Sequence, residues 1–129
     1  MNTHTPEALV DAFFDAFARR DLESLLALYE PSGSFAAQPG FVAEGRSAVR
    51  EALAGFLAMK PVMTRHASRV VPAGDLALGL TRWTLEGTGP DGATVRMNGD
   101  ATDVFRRGAD GNWRVVIDNP WGIALLQPA

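Results

Sequence analysis

The sequence contains no cysteine and only two histidines, His4 and His66. Without cysteine the chain has no disulfide, no thiolate nucleophile and no cysteine-based zinc or iron–sulfur site. No pair of possible metal ligands recurs at helix or hairpin spacing, so we expect no metal site. No phosphate-binding glycine loop occurs either, which removes the usual signal of a nucleotide cofactor. The sequence therefore predicts a protein that works without metal or cofactor.

An excess of basic charge and a long apolar run are also missing. Twelve basic and fifteen acidic residues give a net charge of −3. The signs are interspersed, so we expect no nucleic-acid partner. No apolar run approaches the roughly 18 to 20 residues of a membrane span. Residues 1–6 lack the basic and apolar parts of a secretory signal, which makes the cytoplasm the expected compartment. The length of 129 residues fits one domain, 1–129.

The amino-terminal half carries helical patterns. Apolar residues recur at one-face spacing from Pro6, which suits a first helical position, to Phe17. Asp21 can cap a second helix, which we expect to include Tyr29 and to end at Pro31. Two consecutive amphipathic helices are therefore predicted.

The pattern changes twice after the second helix. Residues 32–45 mix small, polar and apolar residues and predict a short strand with loops. A third helix carries Val49 to Leu57 on one face and ends before Pro61. From about residue 63 the period becomes two, and turn signals separate four strands of an antiparallel meander. Helices followed by strands predict an α+β domain with helices on one face of a curved sheet.

Strand alternation predicts which side chains face inward. In 93–105 the odd residues are mainly apolar and the even ones mainly polar, so the odd face, with Asp103, is expected inward. By the same pattern the odd residues of 113–121 face inward, with Asn119 as their only polar member and Asp118 on the opposite face. In 76–86 we also favour the odd face.

Small residues on that odd face of 76–86 suggest a cavity. Ala77, Gly79 and Thr81 are small beside the large Trp83. They would leave volume that protein does not fill, and such a gap can take a ligand. The inward faces together predict a lining of Phe13, Phe17, Thr81, Trp83, Met97, Ala101, Phe105, Ile117 and Trp121.

Asp103 is the main candidate for chemistry within this lining. An aspartate among apolar neighbours needs hydrogen bonds or a raised pKa, and either state suits a general acid or base. The competing interpretation is that Asp103 ties neighbouring elements together. Asn119 could orient a ligand carbonyl or Asp103 itself. His66 would supply a base if it faced inward, which the sequence leaves open. Tyr29 and Gln38 are expected near the mouth of the pocket.

Several short motifs occur in a characteristic order. They are FFDAFARRDL at 13–22, LALY at 26–29, GRSAVR at 45–50, RWT at 82–84, TDVFR at 102–106 and DGNWR at 110–114. Together they resemble the SnoaL-like branch of the nuclear transport factor 2-like superfamily. The resemblance implies a cone-shaped barrel in which a curved antiparallel sheet packs on three helices. It also implies a homodimer formed through the outer face of the sheet, where we expect Val104 and Val116.

The resemblance extends to ketosteroid isomerase, which uses an aspartate base with a tyrosine and a protonated aspartic acid as oxyanion donors. Asp103 matches the donor acid. The base falls on Gln38 and the tyrosine on Phe13, so the resemblance does not imply steroid isomerisation. The arginines at 82, 96, 106 and 114 are expected to point outward, which disfavours an epoxide hydrolase of the Asp-Arg-Asp type.

Two functions remain open from the sequence. The first is a cofactor-free acid/base enzyme, isomerase-, cyclase- or hydratase-like, that acts on a small apolar carbonyl compound through Asp103. The second is a non-catalytic domain that binds or senses a hydrophobic metabolite.

Overall fold

A computed structural model describes residues 1–128. Its first helix, α1 (Pro6–Ala18), begins where Thr5 accepts a hydrogen bond from the Ala8 amide (3.0 Å). Asp21 caps the short helix α2 (Leu22–Ala27) by accepting from the Ser24 amide. The third helix is α3 (Arg46–Ala58). All three predicted helices are therefore present, and none of the helices in residues 1–128 is long and apolar enough to cross a membrane.

Six strands form one curved, unclosed sheet: β1 (Tyr29–Gln38), β2 (Phe41–Glu44), β3 (Val62–Ala73), β4 (Leu76–Thr88), β5 (Thr94–Arg107) and β6 (Trp113–Asp118). Their order is β2-β1-β6-β5-β4-β3. Within residues 1–128, only β1 and β6 pair in parallel. The α+β prediction and the four-stranded meander from β3 to β6 are confirmed. A 3₁₀ helix (Gly122–Leu126) follows the last strand.

The first strand corrects the prediction for Tyr29. The second helix ends at Ala27, and Tyr29 begins β1, where it pairs with Val115 of β6. The expected short strand and loops of 32–45 are a hairpin of β1 and β2. Pairing with other strands of the sheet makes Tyr29 and residues 32–45 part of a strand hairpin, and local helical spacing does not reveal such pairing.

The predicted inward faces hold in β4 and β5. Ala77, Thr81 and Trp83 are buried, whereas Leu76 and Leu78 are exposed. In β5 the residues facing inward are likewise the odd ones, and the even residues from 94 to 100 are exposed. The core lies between this inner face and the helices.

The predicted face of β6 is wrong beyond Val115. Val104 of β5 pairs with Ile117 and Phe105 with Val115, so Val116 is an extra residue in β6, a β-bulge. The bulge reverses the alternation: Ile117 is 43% exposed and Asp118 only 6%. Asp118, which the sequence placed outward, therefore faces inward, and Ile117 faces outward.

Candidate functional site

An apolar cavity of about 80 Å³ lies between the helices and the inner face of the sheet. Two glycines make room for its aromatic walls. A Cβ at Gly79 would stand 2.5 Å from Cε2 of Phe105, and one at Gly99 would stand 2.9 Å from Cζ2 of Trp83. Its aromatic lining is Phe13, Phe14, Phe17, Phe35, Phe56, Trp83, Phe105 and Trp121. Thr81, Asp103 and Asp118 are the polar side chains of this wall.

The two carboxyl groups come from neighbouring strands. Asp103 and Asp118 stand one residue beyond the pair that Val104 forms with Ile117, so they lie side by side. On the next strand the buried Tyr29 donates its hydroxyl hydrogen to Oδ2 of Asp118. Three adjacent strands, β1, β6 and β5, thus bring Tyr29, Asp118 and Asp103 into one hydrogen-bonded network.

The backbone also contacts this network. The amide of Asn119 donates to Oδ1 of Asp103 at 2.8 Å. The Asn119 side chain points elsewhere: its amide nitrogen donates to Oγ1 of Thr102 (3.0 Å) and to the Gly122 carbonyl (3.2 Å). Its oxygen accepts from the Trp121 amide. Asn119 therefore joins Asp103 to the turn that carries Trp121 into the cavity wall.

Burial and the repulsion between their charges give Asp103 and Asp118 different pKa values. Burial, and then the charge of Asp118, raise the pKa of Asp103 well above its usual range, against the opposing Asn119 amide. Burial raises the pKa of Asp118 to about 6, although hydrogen bonds with Tyr29 and Asp103 oppose this rise. The pair therefore favours a state with one proton and one negative charge, and the more strongly raised pKa of Asp103 favours the proton on that residue.

Tyr29 stays a donor to this charge. Burial, followed by the nearby charge of Asp118, raises the pKa of the Tyr29 phenol well above its ordinary value. The cavity thus contains one carboxylic acid and one carboxylate, which can donate a proton at one atom of a ligand and accept one at another.

Most residues predicted for the lining surround this cavity in the structure. They are Phe13, Phe17, Thr81, Trp83, Ala101, Phe105 and Trp121, together with Asp103. Trp83 and Trp121 pack edge to face at 5.4 Å. Each indole also donates to a backbone carbonyl, Trp83 to Pro120 and Trp121 to Ala37. These bonds fix the orientation of the two rings.

Other predicted residues lie outside the cavity wall. His66 is exposed at a bulge of β3 and contacts Oγ1 of Thr84 through Nε2 at 3.0 Å, so it faces outward. Gln38 is exposed at the end of β1. Met97 is half-buried and packs against the core beside the cavity. Ile117 faces solvent, and Tyr29 lies behind Asp118 rather than at a pocket mouth.

The four arginines that the sequence placed outward form exposed ion pairs. Each pairs with an acidic residue: Arg82 with Asp100, Arg96 with Glu86, Arg106 with Glu30 and Arg114 with Asp110. No arginine in residues 1–128 reaches the carboxyl pair through the cavity wall.

Sequence reasoning did not select Asp118 for the site. Its only signal was an acidic residue at the end of an apolar strand, and that signal fits an outward position equally well. The bulge at Val116 decides the matter, and it depends on pairing with β5.

Comparison with known proteins assigns the family. Residues 10–116 match the model of the SnoaL-like domain. The chain belongs to the SnoaL-like domain family. None of the curated protein sequences matches it.

Solved structures agree with this assignment. A nuclear transport factor 2-like superfamily protein from Salmonella enterica serovar Typhimurium superposes with a TM-score of 0.76 at 18% identity, covering 86% of this chain and 83% of the other. A candidate dehydratase of the NTF2-like family from Streptomyces avermitilis gives 0.70 at 26% identity, covering 88% and 95%. A protein with a cystatin-like fold from Caulobacter vibrioides gives 0.74 at 22% identity, covering 87% and 82%. The SnoaL-like fold is thus shared along most of each chain.

Proposed function

We propose that this SnoaL-like domain is a cofactor-independent acid/base catalyst that moves protons on a small apolar carbonyl compound. The observation that carries the proposal is the hydrogen-bonded pair of carboxyl groups, Asp103 and Asp118, in the wall of an otherwise apolar cavity. Their different pKa values make one an acid and the other a base at the same pH.

The proton transfer can be written for a ketone with a hydrogen on the carbon next to the carbonyl. Asp118 takes that hydrogen as a proton, and the electrons of the broken C–H bond form the C=C bond of the enol. The C=O π electrons take up the proton of Asp103. The pair keeps its single negative charge, which moves from Asp118 to Asp103. In a ketone whose second C=C bond is conjugated with the enol, the Asp118 proton adds to the γ carbon and the enol O–H proton returns to Asp103, which isomerises the compound. Where the β carbon carries a hydroxyl group, that group takes the Asp118 proton and leaves as water while the enol O–H proton returns to Asp103, which dehydrates the compound.

Tyr29 supports the base in this scheme. Its hydroxyl donates to Asp118 and stabilises the carboxylate that must be present before the reaction. The Asn119 amide does the same for Asp103 once that acid has given up its proton. Both groups are positioning residues. The name of the Streptomyces avermitilis structure, a candidate dehydratase, is compatible with this class of chemistry.

Hydrogen–deuterium exchange tests the proposal. Acetophenone is incubated with the protein in D₂O, and deuterium in its methyl group is measured by NMR. General acid–base catalysis contributes about 10² to 10⁴ in rate, so Asp118→Asn and Asp103→Asn should each lose most of the exchange. Asp100→Asn is the matched control, since Asp100 lies on the same strand as Asp103 but is exposed on the outer face. Equal exchange in wild type and Asp118→Asn would refute the proposal.

The alternative function is binding without turnover. It is favoured by the lining, in which apolar side chains far outnumber the three polar ones. In that case acetophenone binds, but neither the wild type nor any variant accelerates its deuterium exchange above the rate in buffer.

The outer face of the sheet supports a homodimer, the quaternary state that the family resemblance implies. Val71, Leu78, Val104 and Ile117 lie in register across four neighbouring strands and form an apolar row. Leu78 is 39% exposed and Val71 49%. An isologous contact between two such rows would cover them both.

A further inference from the structure

The charges around the cavity distinguish between classes of ligand. Among residues 1–128, none of the side chains that line it is basic. The guanidinium of Arg65 lies over the ring of the wall residue Phe14 at 5.1 Å and is already paired with Asp11. A ligand carboxylate would therefore meet the charge of Asp118 in an apolar environment without a cation to offset it.

The shape and size of the cavity add a second constraint. Its walls are dominated by flat aromatic rings, and Gly79 lets the Phe105 ring lie close against β4 beside Asp103. An engineered cavity of about 150 Å³ takes up one benzene molecule. At about 80 Å³ this cavity can admit one flat ring only if half-buried side chains such as Phe56 and Met63 adjust. A second fused ring would exceed this volume.

We infer that the ligand is an uncharged compound with a single planar ring, whose oxygen accepts a hydrogen bond from the carboxyl pair, and that carboxylates are rejected. This inference rests on the proposed function, because it concerns the same cavity, and it adds the substrate class. Aromatic faces pack best against another flat ring, and the proton held by Asp103 suits a neutral acceptor such as a ketone oxygen.

Binding is tested with five probes that change one property at a time. Acetophenone is the reference, benzoate has the same shape with a negative charge, and benzylamine carries a positive charge. Cyclohexyl methyl ketone replaces the flat ring with a puckered one, and 2-acetonaphthone adds a fused ring. Dissociation constants come from ¹H–¹⁵N NMR at pH 7.5, read from the indole signals of Trp83 and Trp121. Trp113, which is buried outside the cavity wall, is the internal reference.

The expected result is that acetophenone shifts the Trp83 and Trp121 signals saturably and leaves Trp113 unchanged. Benzoate should bind at least about tenfold more weakly, since burying an unpaired charge is costly. The puckered and the two-ring ketones should also bind more weakly than acetophenone. Equal binding of benzoate, equal or tighter binding of benzylamine, equal binding of either other ketone, or no binding of acetophenone would each overturn the inference.

A cavity-filling variant checks that the ring enters this cavity. In Gly79→Ala the new Cβ would push the Phe105 ring away from β4 and into the cavity, so acetophenone binding should be lost. Gly55→Ala is the control, because a Cβ there meets no atom within 4 Å. If Gly79→Ala does not fold, Ala101→Val adds two methyl groups to the wall instead. Wild-type affinity in a folded cavity-filling variant would contradict the assignment.

The outcomes separate this inference from the proposed function. Acetophenone that binds without deuterium exchange leaves the ligand class standing and refutes catalysis. Exchange of cyclohexyl methyl ketone without exchange or binding of acetophenone refutes the ligand class and leaves acid/base catalysis standing.

Discussion

Raising the pH from 4 to 7 should weaken the folded state, because Asp118 must then give up a proton that its burial helps it to keep. The folded-state pKa of Asp118 is raised from 3.8 to about 6. In the unfolded chain the carboxyl ionises near its ordinary value. Between these two values the folded state binds more protons than the unfolded state, so stability falls as the pH rises.

The size of the effect follows from the pKa values. A pKa raised from 3.8 to about 6 corresponds to roughly 3 kcal/mol of unfolding free energy, which is fully present below pH 3.8 and lost by about pH 7. Asp103 acts in the same direction, since its pKa is also raised, and its contribution continues to higher pH. The groups that face Asp118 are Asp103 of β5 and Tyr29 of β1, and Tyr29 remains protonated throughout this range.

Surface carboxylates do not obscure this window. The pKa of Asp100 is lowered by Arg82 and that of Asp21 by its hydrogen bonds with Ser24. For such groups the stabilising contribution is present above the ordinary pKa and is lost only as the pH falls below it. Most of that contribution is already in place at pH 4, so the buried pair dominates a series from pH 4 to pH 7.

Urea unfolding followed by circular dichroism at pH 4, 5, 6 and 7 measures the effect. Wild type should lose about 3 kcal/mol or more across the series, and Asp118→Asn should show a flatter profile. Asp100→Asn should keep the wild-type slope, because it removes a carboxylate from the outer face only. A wild-type profile that is level or rises between pH 4 and pH 7 would refute the assignment of a raised pKa to the buried pair.

Two further predictions concern activity and assembly. The initial rate of acetophenone exchange should rise as the pH passes about 6, because Asp118 then becomes a base. The rate should fall again at higher pH, where Asp103 loses its proton, so the pH profile is bell-shaped. A rate that is constant from pH 5 to pH 7 would contradict this prediction. Leu78→Asp should convert the proposed dimer to a monomer in light scattering, since it places a charge in the apolar row, whereas Ala58→Asp on exposed α3 should not. A wild-type monomer at tens of micromolar would rule out the proposed dimer.

Local patterns were sufficient for most of the fold. The helical spacing from Pro6 to Phe17 and the alternation in β4 and β5 arise because one face of each element packs on the core. A periodic pattern within the element records that packing, so the sequence alone predicts these elements. Asp103 belongs to this group. Its position facing the cavity follows directly from the alternation of β5.

The remaining parts of the site depend on contacts between distant segments. Tyr29 has helical spacing with the leucines of α2, yet pairing with Val115 places it in a strand. The amino terminus is also held by a distant segment: Thr3 is 1% exposed, and its hydroxyl donates to the Trp113 carbonyl at 2.8 Å. Such pairings over 80 or more residues leave no periodic signal in the sequence.

The bulge at Val116 links the two proposed functional surfaces of the domain. If Val116 were paired in a regular ladder, the alternation that buries Trp113 and Val115 would continue to Ile117, and Asp118 would point outward. The bulge instead moves Ile117 to the outer face, where it completes the apolar row, and in the same step turns Asp118 toward Asp103. The one-residue register shift in β6 thus places Ile117 as the fourth side chain of the proposed dimer surface and Asp118 as the second carboxyl group of the proposed catalytic pair. Because one local irregularity determines both, a β6 that kept Val116 in the regular ladder would turn Asp118 outward and Ile117 inward together, whereas deletion of Val116 should leave Val104 opposite Ile117 and preserve both surfaces.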